Sequence, residues 1–370
     1  MNILQISNYY EYHGGGLEKV VAHLSRALIR KGHSVKWIAS KLPESAVEGI
    51  ECHPVNPINF MENLFSFPYP FWSVTDTLSL RTHIEQSDIV HIHDGMYWGS
   101  FWSAIFARQL GKPFVVTQHI GEFPCNNLLW QMVYALGEQF LTRPVLYLAN
   151  HRVFYSECVR QRYAAKPAPK NHLIFNGVDT SVFNCNFEDK KVLRDRLGVS
   201  SNKPLFLFVG RFVAKKGLHH IYEVARQMDS VNFVIIGCGK LNPQAWHLPN
   251  VRVIPYLPHQ KLAEWYRAAD ALMLPSVGEG FPLVIQEALA CATPSIVSAE
   301  IIDACRPASP FMISAGPAGE SLLTACQHAV KDLGSLHALG MEGAQWAHQE
   351  WSWEATATRY EELFLCERVT

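Results

Sequence analysis

"DALMLPSVGEGFPLVIQEAL", Asp270 to Leu289, decides the fold. "DALMLPS" is an apolar run of strand length, and "LVIQEAL" is an apolar helical pattern, so the stretch reads as strand, tight turn and helix. Pro282 fixes φ near the helical value and lacks an N–H, which suits a helix's first turn. That puts Glu279 in the turn just before the helix and Glu287 inside it. The first N–H groups of a helix attract anions. Two carboxylates flanking such a start would repel a bound anion unless they point elsewhere. Sugar or ribose hydroxyls are suitable partners for them, with the N–H groups left for phosphate. The same spacing also fits an ordinary helix start with a solvent-facing glutamate.

The pattern repeats on both sides. "NILQIS" reads as a strand, and Leu17, Val20, Val21, Leu24 and Leu28 form one apolar helix face. Gly32 fits a C-terminal stop, and "HSVKWIAS" returns as a strand. "SDIVHIHD" (87–94), a helical stretch from Gly99 to Leu110 and "KPFVVTQH" (112–119) continue the theme. After a polar stretch ending at Lys203, a second series begins: "KPLFLFVGR", "VNFVIIGCG", "NVRVIPY", "DALMLPS" and "TPSIVSA". Alternating strands and helices imply parallel, helix-covered sheets. Two series predict two Rossmann-like domains, 1–180 and 200–350, whose sheets face a central cleft and bind ligands at their C-terminal strand edges. "SWEATATRYEELFLC" predicts a last helix, 352–370, that crosses back onto the first domain, with Ser352 as N-cap.

Composition narrows the function. The chain has 370 residues, 48% of them hydrophobic, a formal net charge of −1 and a pI near 7.0. Residues 1–180 hold 15 Lys and Arg against 14 Asp and Glu, and the remainder 17 against 19, so neither half has a nucleic-acid footprint. Nine cysteines without a C-x-x-C pair give no zinc or disulfide framework. No run of 18 apolar residues occurs and no signal peptide is legible, so a cytoplasmic protein is expected, with any membrane contact peripheral.

"FVGRFVAKKGL" (208–218) ends a strand with Gly210 and Arg211 and puts Lys215 and Lys216 at a helix start, a place for a diphosphate or for plain solvated charge. No Asp is followed two residues later by another, so a D-x-D metal site is absent and no metal or cofactor is expected. His91 and His93 of "VHIHD" share one strand face; two ligands without a third make a poor metal site, and they read as strand-end residues lining the cleft. His119 ends its strand and on residues alone is a hydrogen-bonded histidine. "FMENLFSFPYPFW" (60–72) gathers six aromatics around two prolines, a candidate for acceptor-side packing, local core or membrane contact. Against membrane contact, no Lys or Arg occurs from Leu42 to Leu80. Arg152, Arg160, Arg162, Lys166 and Lys170 form a second candidate for membrane or phosphate contact.

Together "GGGLEKVV", "GRFVAKKG", "EGFPLVIQEALACATP", "LIFNGVDTSVF" and "WSWEATATRYEELF" resemble family-four glycosyltransferases of the GT-B fold, over nearly the whole chain. The resemblance implies a retaining, metal-independent transfer of sugar from a nucleotide donor. Arg211 and Lys216 would hold the donor diphosphate, Glu287 the ribose hydroxyls, and Glu279 the donor sugar near the reacting centre. Phe281, Leu283 and Val284, with Gly280 beside them, would offer backbone N–H groups to phosphate. Gly15 and Gly16 would approach the donor from the first domain, where only glycine lets backbone come close. His119 would sit by the transferred sugar. Implied partners are a UDP- or GDP-sugar, UDP favoured, and a saccharide or lipid-linked acceptor of bacterial surface polysaccharide or glycolipid synthesis, at the membrane's inner face if lipid-linked. A nucleotide-sugar epimerase and a non-catalytic sugar-binding subunit are the rival readings. Two departures stand out: Ala292 replaces a usual glycine, which is expected only to adjust packing, and 298–319 lacks the usual Gly-Gly and acidic motif.

Overall fold

Seven of the eight residues of β1 (Asn2–Tyr9) are buried, as a strand covered by helices on both faces requires. Beside it run β2 (Ser34–Ser40) and β3 (Glu51–Val55); a short antiparallel pair follows, β4 (Pro57–Ile58) and β5 (Phe71–Trp72). The chain continues through β6 (Ile89–His93), β7 (Phe114–Gln118), β8 (His151–Phe154) and β9 (Asn171–Leu173). A computed structural model supplies these coordinates. It describes residues 1–13, 16–41, 46–58, 69–121, 128–164, 168–185, 188–277, 281–316 and 319–367, with backbone alone at 128–130 and 319–320. The first sheet has the order β3-β2-β1-β6-β7-β8-β9, and every neighbouring pair is parallel.

A second parallel sheet holds β10 (Leu205–Val209), β11 (Asn232–Ile236), β12 (Val251–Ile254), β13 (Ala271–Leu274), β14 (Ser295–Ser298) and β15 (Met312–Ala315). Its order is β12-β11-β10-β13-β14-β15. In both sheets the direction of winding reverses once, between β1 and β6 and between β10 and β13. At such switch points the loops diverge to opposite faces and leave room for a ligand at the C-terminal strand edge.

The chain divides into one unit of Met1–Gly177 with Trp353–Thr370 and another of Val178–Ser352. In the first, the helix Gly16–Arg30 buries Val20, Val21, Leu24 and Leu28 in a core shared with Trp353, Ala357, Tyr360, Leu363 and Phe364 of the helix Trp353–Cys366. Arg30 pairs with Glu354 at 2.6 Å, and Lys31 and His33 both pair with Glu361 at 2.8 Å along the rim of that contact. Among the described residues no helix is long and apolar enough to cross a membrane.

Six strands escape the sequence reading: β3, β4, β5, β8, β9 and β15. Each has exposed or half-buried residues at half or more of its positions, so the apolar run that marks a covered strand is missing. Ala292 also corrects an expectation. Its φ is +59°, so the change from glycine bears on backbone conformation rather than packing alone.

Candidate active site

In the second unit the switch point is built from two loops held edge to edge. Beyond β10, Gly210 N donates to Ile236 O at 3.0 Å and Phe212 N to Cys238 O at 2.8 Å, which carries Arg211 past the sheet edge, where it is exposed. A Cβ on Gly237 would stand 1.9 Å from the Gly210 carbonyl oxygen, so the two loops approach as closely as they do only because that position has no side chain. Lys216 is half-buried, and its Cδ and Cε pass 3.8 Å from where a Cβ on Gly210 would lie. Gly217 takes φ +72° and opens the helix Leu218–Gln227.

From the other side of the switch point, β13 leads into Pro275, Ser276 and Val277. Val277 N donates to Lys215 O at 2.9 Å, which joins this loop to the basic one. Glu279 and Gly280 lie outside the described residues. The helix Leu283–Ala290 begins one residue later than the sequence reading places it. Pro282 is extended (φ −77°, ψ 114°) and makes no side-chain cap, so proline serves as the hinge into the helix rather than its first turn. Phe281 is buried, Leu283 exposed and Val284 half-buried. Glu287, half-buried on the second turn, accepts a hydrogen bond from the Tyr266 hydroxyl at 2.8 Å. Arg211, Lys216 and the Glu287 helix therefore share one strand edge. A cation pair beside amide-rich backbone can hold a diphosphate, and an oriented carboxylate can hold a pair of hydroxyls.

The first unit has its own polar cluster at the β1–β6 switch point. Asp94 follows β6 with φ +62° and is fully buried. Its Oδ1 accepts two successive backbone N–H groups, from His119 at 2.8 Å and Ile120 at 3.0 Å, while Oδ2 is buried with no partner among the described residues. Loss of water pushes its carboxyl up to about 7, against the pull of those two amides. His91 and His93 are fully buried, which corrects the expectation that they line a cleft. Tyr360 and Phe364 of the last helix cover His91, with ring centres 4.8 and 5.6 Å away. Burial lowers His91 to about 3, His93 well below the usual range and His119 to about 4, so all three rings are neutral near pH 7. Gly16 opens its helix, with Glu18 buried in the first turn 3.6 Å from His13. Gly15 lies outside the described residues.

Asp94, Glu18, Gln5 and Tyr266 are the residues the sequence reading missed. Asp94 alone had a signal, as an acid directly after the strand-end "HIH".

Of the aromatic segment, 60–68 lies outside the described residues. Tyr69 and Trp72 are buried, the former donating to Met96 O at 2.9 Å and the latter to Ser40 Oγ at 2.9 Å. In the basic cluster Arg152 donates to Leu146 O, Arg160 pairs with Glu157 and Arg162 with Glu138; Lys166 lies outside the described residues. Among the described residues no three His, Cys, Asp or Glu side chains are grouped to hold a metal.

Comparison with known proteins gives the family. Residues 14–182 match Glycosyltransferase Family 4, and residues 189–302 match Glycosyl transferases group 1. A D-inositol 3-phosphate glycosyltransferase of Frankia alni is 30% identical over 330 residues, 77% of this chain and 78% of the relative. Among solved structures, sucrose-phosphate synthase of Thermosynechococcus elongatus superposes with a TM-score of 0.71 at 20% identity, over 100% of this chain and 99% of that one. The HepE protein of Anabaena, solved in complex with UDP, gives 0.73 at 15% identity, over 99% and 100%. The two parallel-sheet domains are thus those of GT-B glycosyltransferases, and the chain belongs to the family-four, group 1 glycosyltransferases as a sugar-transferring enzyme.

Proposed function

We propose that the enzyme transfers a sugar, with retention and without a metal ion, from a nucleotide sugar to a saccharide or lipid-linked saccharide. Arg211 and Lys216 take the donor diphosphate, Glu287 the ribose hydroxyls, and Glu279 the donor sugar. Gly280, Phe281, Leu283 and Val284 supply the backbone beside the phosphates, and Gly15, Gly16 and His119 act from the first domain. The observation behind this reading is the shared strand edge: two cations and a hydrogen-bonded glutamate flank one switch point. Charge developing on a departing diphosphate is stabilised there by fixed cations, and losing one such group costs roughly 10²-fold to 10³-fold in rate. UDP is favoured because the Anabaena neighbour was solved with UDP and with UDP-glucose. The reading includes a cytoplasmic place of action, peripheral at the membrane's inner face for a lipid-linked acceptor.

Thermal-shift titration tests it. A ligand at 100 times its dissociation constant stabilises by about 2.7 kcal/mol. UDP is expected to raise the melting temperature of the wild type and to leave Arg211→Ala unmoved. An equal shift in both refutes the cation clamp. Release of UDP from a UDP-sugar only when acceptor is added, unchanged by a chelator, completes the test; inositol phosphate, the acceptor class in the Frankia relative's name, belongs in the acceptor panel beside saccharides.

A further inference from the structure

Gln5, His93 and His119 form a hydrogen-bonded line in the first unit. His93 Nε2 lies 2.8 Å from Gln5 Oε1, and His93 Nδ1 lies 3.2 Å from His119 Nε2. Gln5 and His93 are fully buried and His119 is half-buried. An amide oxygen only accepts, so His93 Nε2 bears the hydrogen. A neutral imidazole has one N–H, so His93 Nδ1 is bare and receives the Nε2–H of His119. His119 in turn is left with a lone pair on Nδ1, for which the described residues provide no partner. Burial keeps both rings neutral, as their depressed pKa values show. The backbone of His119 is fixed separately, by Asp94 Oδ1.

We propose that Gln5 and His93 are positioning residues that lock His119 in its Nε2–H tautomer, so that Nδ1 accepts a hydrogen bond from a substrate hydroxyl. The hydroxyl rests on the transferase reading of this site; the tautomer does not. Reversing the Gln5 amide would reverse both bonds in the line and turn Nδ1 into a donor, so the two arrangements are spectroscopically opposite.

The test is a two-bond ¹H–¹⁵N correlation spectrum of the full chain labelled at histidine, with His119 assigned by its loss in His119→Asn. The wild type is expected to show a bare Nδ1 and a protonated Nε2 at His119. A protonated Nδ1 overturns the proposal. Gln5→Met removes the acceptor at similar volume. In that variant His119 is expected to become a mixture of tautomers, with kcat down roughly tenfold and the UDP-induced thermal shift unchanged. A folded Gln5→Met protein with the wild-type His119 spectrum also overturns the proposal. Should that variant not fold, the wild-type spectrum decides alone. The locked tautomer in a wild type that releases no UDP with any acceptor refutes the transferase reading and supports the lock; active enzyme with the opposite tautomer does the reverse.

Discussion

The Tyr266 hydroxyl donates to Glu287 across 2.8 Å, and the Tyr266 carbonyl accepts from Thr293 Oγ1 at 2.6 Å. One residue thus touches the middle of the helix Leu283–Ala290 and the segment just past its C-cap. The ring is fully buried, which together with the neighbouring carboxylate pushes the phenol well above its ordinary range, so it stays a donor at every working pH. A hydrogen bond to a charged group is worth about 1.5–3 kcal/mol. Tyr266→Phe is expected to weaken UDP-sugar binding roughly tenfold with little change in kcat, because Glu287 loses its orientation and not its charge. Calorimetric titration reads this; unchanged affinity would detach Glu287 from the donor site.

Ala292 occupies the residue after the C-cap Cys291 with φ +59°, where glycine is the default. An L-residue there costs about 1–2 kcal/mol, partly offset by the extra freedom glycine has when unfolded. Ala292→Gly is therefore expected to stabilise the second unit by roughly 0.5–1 kcal/mol. A lower melting temperature in the variant would mean that the methyl group's packing outweighs the backbone strain.

Gly217 combines φ +72° with a neighbour that cannot move aside: an added Cβ would stand 2.3 Å from Pro275 O. Gly217→Ala is expected to cost about 3 kcal/mol or more. Because Val277 is tied to Lys215, the displacement also moves Lys216, and UDP binding should fall with stability. Wild-type urea resistance in the variant would contradict the close approach.

Protons reach the first unit's cluster with opposing signs. His91, His93 and His119 have folded pKa values below 6.5, so the unfolded chain takes up protons first and their contribution is lost as pH falls from about 6.5 toward 4. Asp94 is raised from 3.8 to about 7, so the folded state holds its proton more tightly and stability falls as pH rises across that window. Burial raises the Glu18 carboxyl of the same cluster as well, so between pH 4 and 6.5 the three histidines outnumber two carboxyls and unfolding takes up protons on balance. Acidification should destabilise the wild type, and Asp94→Asn should steepen the slope by about one proton. A parallel slope in the two proteins would show that Asp94 is ionised when folded.

The sheets were legible because a covered parallel strand is an unbroken apolar run: "FLFV" before Gly210 and "ALML" before Pro275 announce both β10 and β13. The basic loop and Glu287 were legible because helix starts and chain reversals use few residue types. Asp94, Gln5 and Tyr266 were not, since each owes its role to a partner 21 or more residues away, found only once the sheets close: Gln5 to His93 across β1 and β6, Asp94 to the amides after β7, Tyr266 to Glu287. The departure from extended to helical backbone at Pro282 also depends on three dimensions, because a proline φ of −77° serves both sides of the boundary.

Val178 N donates to Trp351 O at 2.7 Å, and Val178 bridges Ser352, while Gly177 stands so close to Trp353 that an added Cβ would lie 2.5 Å from its ring. The second unit therefore leaves and rejoins the first through neighbouring residues, as an insertion does. During synthesis the first sheet waits for residues 353–366 before His91 is covered, and by then all 175 residues of the insertion (178–352) have left the ribosome. The cover over His91 is therefore the last part of the first unit to be made, later than the whole of the second.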